Sequence, residues 1–346
     1  MKYFVLEGVL NVEKKIARGS SASIYTAKLR RKSKTRGLIL KRIPKRLNTI
    51  WGLYRWKDAG MLVPPNKTKA PLKLEFVDVT ASKKSVCKNC CFTELYEAYS
   101  AWDNDNAKFL RLGTTYATES KIARILSRHV SPKLPKPVFC KIRSSFTTTF
   151  HHNIVMDDAG YELETNTDLL TLEELQSIVV QVIVALAHAQ QQVYFKHHDM
   201  HTGNVYFRVS KTNRVWKFPD GSTVDIPSDD VEAVIADFGL SVANVNETRI
   251  GRLDYPLLNT DEKGWGEWDY NLKGNEGYDL LVLIDALRDV CGKEHKSWIK
   301  SVINDIRKLV PKLRISKRGR PLCAVPITPK EFLAMPSFQF ANLKVI

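Results

Sequence analysis

Hydrophobic and polar positions follow two regimes along the chain. In residues 1–45 they alternate or cluster in short runs. Ser23-Ile24-Tyr25-Thr26-Ala27 and Gly37-Leu38-Ile39-Leu40-Lys41-Arg42-Ile43 read as strands, separated by a basic turn over 30–36. Residues from about 48 to 110 lose periodicity, carry Gly52, Gly60 and Pro64-Pro65, and run into a Cys-rich patch, the pattern of an insertion. From Thr118 the period becomes helical. Ile122, Ile125 and Leu126 share one face of a helix predicted over 118–128, which Pro132, Pro135 and Pro137 stop. Residues 138–141 and 153–157 read as strands. Thr171-Leu172-Glu173-Glu174 is a capping-box pattern, and Leu172, Leu175, Val179, Val182 and Leu186 then predict a long buried helix to about Gln192. Val205-Tyr206-Phe207 and Val234-Ile235-Ala236 read as short strands flanking a loop. Residues 279–290 form a strongly apolar helix pattern, followed by shorter helical segments and a basic tail. Strands come first and helices follow, which predicts an α+β chain of two lobes with a cleft between them. There is no internal repeat and no low-complexity tract.

Composition narrows the class. In 346 residues, 44% are hydrophobic and 10% aromatic, enough to build a core and too apolar for a disordered chain. No run approaches the ~20 uncharged apolar residues of a membrane span. Glu7 stands too early for a secretory leader, and six cysteines without a leader suggest reduced thiols in an intracellular protein, cytoplasmic or nuclear. Lys and Arg number 53 against 37 Asp and Glu, a net charge of +16. The excess is concentrated: fourteen Lys/Arg against Glu7 and Glu13 in residues 1–50, and ten against Glu294 and Asp305 in residues 293–320. Such surfaces draw acidic or nucleic-acid-associated partners. No helix-turn-helix, zinc-finger or RNA-binding signature accompanies the charge, so direct nucleic-acid binding has no motif behind it. Cys87-Lys88-Asn89-Cys90-Cys91 invites a zinc reading, yet no second Cys-x-x-Cys completes four ligands. Cys140, Cys291 and His151-His152 could join it only by an accident of folding.

The candidate chemistry lies in His197-His198-Asp199-Met200-His201-Thr202-Gly203-Asn204-Val205, after the long helix and before a strand. Asp199 is followed by Asn204 five residues on, and thirty-three residues later by Asp237-Phe238-Gly239 behind the apolar Val234-Ile235-Ala236. Phosphoryl transfer explains the combination. One carboxylate orients or deprotonates the attacking hydroxyl, and two further oxygens hold Mg²⁺ against the nucleotide phosphates.

These residues resemble the His-Arg-Asp-x-x-x-x-Asn and Asp-Phe-Gly signatures of the protein kinase superfamily. The wording of the loop is closest to divergent serine/threonine kinases, the haspin-like kinases and those of large DNA viruses. Small-molecule phosphotransferases share the His-x-Asp-x-x-x-x-Asn frame. The resemblance implies a two-lobed kinase-like fold, a β-rich N-lobe over 1–156 carrying the insertion and a mainly helical C-lobe over 157–346. It implies ATP and Mg²⁺, with Mn²⁺ as an alternative, and a protein substrate. By the same resemblance Asp199 is the base, His201 stands where a lysine usually approaches the γ-phosphate, and Asn204 and Asp237 hold the metal. Ala17, Gly19, Ala22 and Ile24 correspond to the glycine-rich loop, with two of its glycines replaced. Lys41 corresponds to the phosphate-binding strand lysine and Glu119 to its helix partner, with Glu94 and Glu97 as competitors. Met156 falls at the gatekeeper position, and the backbones of Asp157 and Ala159 at adenine. His198 replaces an arginine that grips an activation-loop phosphate. Asp279 resembles the helix aspartate that braces the catalytic loop. Trp265-Gly266-Glu267 stands where Ala-Pro-Glu is expected. The departures leave two other readings open, a pseudokinase serving as an interaction scaffold and a small-molecule phosphotransferase. If the source is viral, association with the virion follows.

Overall fold

The structure, a computed structural model, describes residues 2–5, 8–18, 22–31, 34–44, 54–55, 62–63, 116, 118–148, 151–245, 248–251, 275–311, 313 and 325–345. The described chain falls into two compact units. One comprises the described residues of Met1–Ser120 and Ile142–Asp158. The other comprises Lys121–Lys141, Ala159–Gly251 and the described residues from 275 to 345.

The first unit is built on an antiparallel sheet. Strands β1 (Lys2–Val5), β2 (Gly8–Arg18), β3 (Ser23–Arg31) and β4 (Lys34–Pro44) follow one another, and β5 (Tyr54–Arg55) pairs with β6 (Leu62–Val63) apart from them. After helix α1 (118–125) come β7 (Ile142–Thr147) and β8 (His151–Met156), giving the sheet order β1-β2-β3-β4-β8-β7. Alternation along each strand sends successive side chains to opposite faces. Leu38 and Leu40 of β4 join Leu10, Ala27, Leu29 and Val155 in one apolar cluster. Ile43 joins Ala22 and Ile154, with Ile24, Tyr116, Ile142 and Met156 packed around them, in a second cluster. Lys41 pairs in register with Ile24 on one side and Ile154 on the other, so it belongs to the row of this second face. The basic turn is tighter than expected, because the strands run on to Arg31 and resume at Lys34. The residues of the expected insertion, except 54–55 and 62–63, lie outside the described residues, as do Cys87, Cys90 and Cys91.

The expected strand at 138–141 does not form. Only Phe139 makes a bridge there, to Ile235 in the second unit, and the strand falls instead at Ile142–Thr147. The prolines at 135 and 137 leave too short a run for a ladder, while β7, with only Ile142 and Phe146 apolar and no residue fully buried, carries a weak apolar pattern. Helix α1 continues past its expected end as a wide i→i+5 turn at Leu126–Val130 and a tight turn at Ser131–Lys133, burying Leu126 and Val130.

The second unit contains β9 (Tyr161–Glu162), the short helix α2 (Leu163–Asn166), and α3 (Leu172–Val193). Thr171 caps α3 with the expected reciprocal box. Its hydroxyl accepts from the Glu174 N–H, and the Glu174 carboxylate accepts from the Thr171 N–H. Among the described residues α3 has the length and hydropathy of a membrane span, but 78% of that stretch is buried in the protein, as suits a core helix. Its one deep amide explains itself. Gln181 donates to the Val231 carbonyl and accepts from the Ala233 N–H, both at 2.9 Å, pairing a sheet edge that would otherwise be buried unsatisfied. Next come β10 (Val205–Val209), the hairpin β11 (Val215–Lys217) and β12 (Thr223–Asp225), then β13 (Val231–Ile235). The order β13-β10-β9 is antiparallel. The remaining elements are the pair β14 (Val242–Val245) and β15 (Thr248–Gly251), and helices α4 (Tyr278–Val290), α5 (Lys293–Leu309) and α6 (Pro329–Leu333).

Candidate active site

The β10–β13 ladder brings the candidate residues of the second unit together. Val205 pairs with Ile235, and one step further the Ala236 N–H donates to the Asn204 carbonyl at 2.9 Å. Asn204 therefore enters β10 at the same end at which Asp237 leaves β13. The Asn204 amide turns its Nδ2 to the Asp199 carbonyl at 2.8 Å, with the Asp199 carboxylate at 3.5 Å. With Nδ2 spent on the main chain, Oδ1 is the atom the amide has to offer a cation.

Two braces hold the loop. Asp279, buried in the first turn of α4, accepts the His197 N–H at 2.7 Å and the His198 N–H at 2.9 Å. His197, fully buried, accepts the Asp199 N–H at Nδ1 (3.3 Å), which fixes the ring proton on Nε2. From there it donates to the Ala236 carbonyl at 2.9 Å. Its ring packs against Phe238 at 5.8 Å and Phe195 at 6.2 Å. One imidazole thus fastens the segment carrying Asp199 to the residue before Asp237. No sequence motif assigns this histidine a part. Its signal was its place two residues before the aspartate. The backbones of His198 (φ 67°) and Asp237 (φ 59°) are left-handed, an arrangement of about 1–3 kcal/mol each that persists only where surroundings impose it. Such strain gathers beside functional groups, and here it flanks both carboxylates.

His201 accepts the Gly203 N–H at Nδ1 (3.1 Å), and its Nε2 lies 3.2 Å from Asn204 Nδ2 and 3.8 Å from the Asp199 carboxylate. Glu164 approaches from α2, 3.9 Å from His201 Nδ1. Burial and the Glu164 carboxylate raise the neighbouring Glu162 above its ordinary value. Two carboxylates, Glu162 and Glu164, therefore lie near His201. Gly203 is confined by this packing, since a Cβ there would meet Glu164 Oε2 at 2.5 Å.

In the first unit Lys41 Nζ reaches both oxygens of Glu119, at 3.1 and 3.0 Å, with both side chains largely withdrawn from water. Glu94 and Glu97, its competitors in the sequence, lie outside the described residues. Ala22, Ile24 and Met156 share one apolar cluster, whereas Ala17 is exposed on β2. Gly19 lies outside the described residues. The Asp157 carboxylate takes a two-pronged contact from Arg143 (2.8 and 2.7 Å) and an ion pair with Arg36 (3.0 Å), so its side chain serves the sheet. Ala159 opens the second unit, just before Gly160 at φ 92°. Residues 265–267 lie outside the described residues.

Among the described residues no group of three or more His, Cys, Asp or Glu could hold a metal ion. Cys140 and Cys291 are buried, and burial pushes the Cys291 thiol up to about 11. An amide oxygen and a carboxylate are hard donors. Two of them suit a hard divalent cation that takes waters and phosphate oxygens as further ligands.

A β-rich N-terminal region, a helical C-terminal region and this braced loop are compatible with a kinase-like fold. Sequence comparison points the same way. The chain is 32% identical over 182 residues to the serine/threonine-protein kinase haspin homolog of Arabidopsis thaliana, a match covering 48% of this chain and 30% of that protein. This partial match supports a protein-kinase-like relationship. No family model matches the chain.

Proposed function

We propose that this chain is an ATP- and Mg²⁺-dependent protein kinase acting on serine or threonine hydroxyls. The observation that carries the reading is the ladder end at which Asn204 and Asp237 are neighbours, tied through His197 to Asp199. The partial likeness to a haspin homolog supports it.

Asp199 accepts a hydrogen bond from the substrate hydroxyl, orients it for in-line attack and takes its proton as the bond to the γ-phosphorus forms and the bond from that phosphorus to the ADP oxygen breaks. The main-chain bonds to Asp279 and His197 fix its backbone, so the carboxylate is already aimed when substrate arrives. Asn204 Oδ1 and the Asp237 carboxylate are the metal ligands. The bound ion would supply neutralisation of charge on the phosphate oxygens. His201, beside Asp199 and Asn204, is the donor nearest the transferred group. Lys41 binds phosphate oxygens, and Glu119 holds its ammonium in one place. Ala17, Gly19, Ala22, Ile24, Met156, Asp157 and Ala159 are the proposed nucleotide contacts. The substrate is a protein, and the basic segments at either end of the sequence favour acidic or nucleic-acid-associated ones. Action inside a cell is part of the same proposal.

The test is transfer of label from γ-labelled ATP to a panel of basic and acidic proteins, wild type against Asp237→Ala. Incorporation by wild type alone supports the reading. Absence of label together with absence of Mg·ATP binding contradicts it, and Mg·ATP binding without transfer identifies the scaffold reading instead.

A further inference from the structure

The outward face of α5 is a basic stripe. Its inward face buries His295, Trp298, Ile299, Val302, Ile303 and Ile306, and the Trp298 indole donates to the Ser337 carbonyl at 3.0 Å. The exposed cations are Lys293, Lys296, Lys300, Arg307 and Lys308. At 3.6 residues per turn the first four fall within about 60° of arc and extend over about 21 Å of helix axis. Asn304 and Ser297 lie beside that arc, within about 40° of its edge. Lys308 pairs with Asp305, but Lys293, Lys296, Lys300 and Arg307 have no ion pair among the described residues. The exposed acids nearby are Glu294, at the edge of the stripe, and Asp289, which Arg288 engages. Four like charges on one face repel one another. The apolar side of α5 packs into the core without the three lysines, whereas the Arg307 charge also acts on the buried Asp285 of α4.

We infer that this face of α5 docks the phosphate backbone of a nucleic-acid duplex, without reading its sequence. A straight row of cations over about 21 Å matches a row of phosphates that repeats every ~3.4 Å of axis on each strand. Three of the four are lysines, compact point charges that contact phosphates without the forked geometry that reads guanine edges. A membrane surface fits less well. Such helices bury Trp, Phe or Leu in the bilayer, and on α5 only Leu309 is an exposed large apolar residue. The inference stands apart from the proposed catalysis, and its test uses no activity readout.

Binding of the full chain to a labelled mixed-sequence DNA duplex of about 20 base pairs is measured by anisotropy between about 50 and 200 mM salt. The comparison is a variant carrying Lys293→Gln, Lys296→Gln, Lys300→Gln and Arg307→Gln. Four phosphate contacts give a slope of log K on log salt of about −3.6, so wild type loses about 150-fold in affinity over that range through them. The variant should show a slope shallower by about 3–4 units, and arginine at the three lysine positions should keep the wild-type slope. Matching thermal unfolding of wild type and variant shows that the surface change alone is responsible. Identical slopes, or an equal loss from Lys14→Gln with Lys15→Gln on β2, would overturn the inference. So would wild type that binds anionic phosphatidylserine vesicles but no duplex at the lowest salt.

Discussion

Replacing Asp279 by alanine removes the acceptor of two main-chain N–H groups, those of His197 and His198, at 2.7 and 2.9 Å in a site that is 1% exposed. Each buried N–H left without a partner costs about 1–3 kcal/mol. Relaxation of His198 from its left-handed backbone returns about 1–3 kcal/mol of the total. At the middle of these ranges the net loss of stability is about 2 kcal/mol. Asp279→Asn keeps one acceptor oxygen and should lose about half as much. The local signature is more telling than the global one. Hydrogen exchange at the His197 and His198 amides should speed up in the alanine variant. Exchange in α3, whose bonds do not involve Asp279, should follow global stability alone. Displacement of Asp199 by about 1 Å should also cost about 100-fold in phosphoryl transfer. Denaturant unfolding and amide exchange read the first two effects. Stability within about 0.5 kcal/mol of wild type, together with unchanged protection of the two amides, would refute the bracing role.

Other substitutions probe separate parts of the structure. Glu119→Ala leaves the Lys41 ammonium withdrawn from water without its carboxylate and should cost about 3–5 kcal/mol in denaturant unfolding, most of it recovered when Lys41→Met is added. Gly160→Ala places a Cβ 2.2 Å from the Phe207 carbonyl at φ 92° and should destabilise by more than about 2 kcal/mol, whereas Gly37→Ala, with nothing within 4 Å, should change thermal unfolding by under about 1 kcal/mol. The Lys330 ammonium and the Ser222 N–H hold the Asp220 carboxyl at about 2. A depressed carboxyl contributes stability above its unfolded value and loses it on acidification, here between about pH 4 and 2. Over that window Asp220→Asn should flatten the stability profile, and because the pair is exposed, added salt should flatten it too.

The sequence was most legible where one residue's chemistry had a single local solution. The box of Thr171 and Glu174 and the 3.6-residue period after it placed α3 almost to its last turn. The kinase resemblance implies that Asp279 braces the loop, and in the structure it accepts the N–H groups of His197 and His198. Legibility failed where pairing depends on distant partners. The apolar 138–141 run gives a single bridge, and the strand goes to the polar 142–147 segment because β8 offers a ladder there. The β11–β12 hairpin is hard to read from alternation, although Pro219-Asp220-Gly221 is a strong turn signal. Its strands are only three residues each, too short to show alternation. The part of His197 rests on contacts to Ala236, Phe238 and Asp199 together, which no spacing encodes.

The most direct measurement is single-turnover transfer from γ-labelled Mg·ATP by Asp199→Asn beside wild type, with nucleotide binding followed in parallel. Asparagine keeps the shape of the side chain and the main-chain bonds around it but cannot take the hydroxyl proton. If Asp199 acts on that hydroxyl, transfer falls by about 100-fold or more while Mg·ATP binding persists. Equal transfer by the two proteins, or none by wild type with any acceptor, would contradict it.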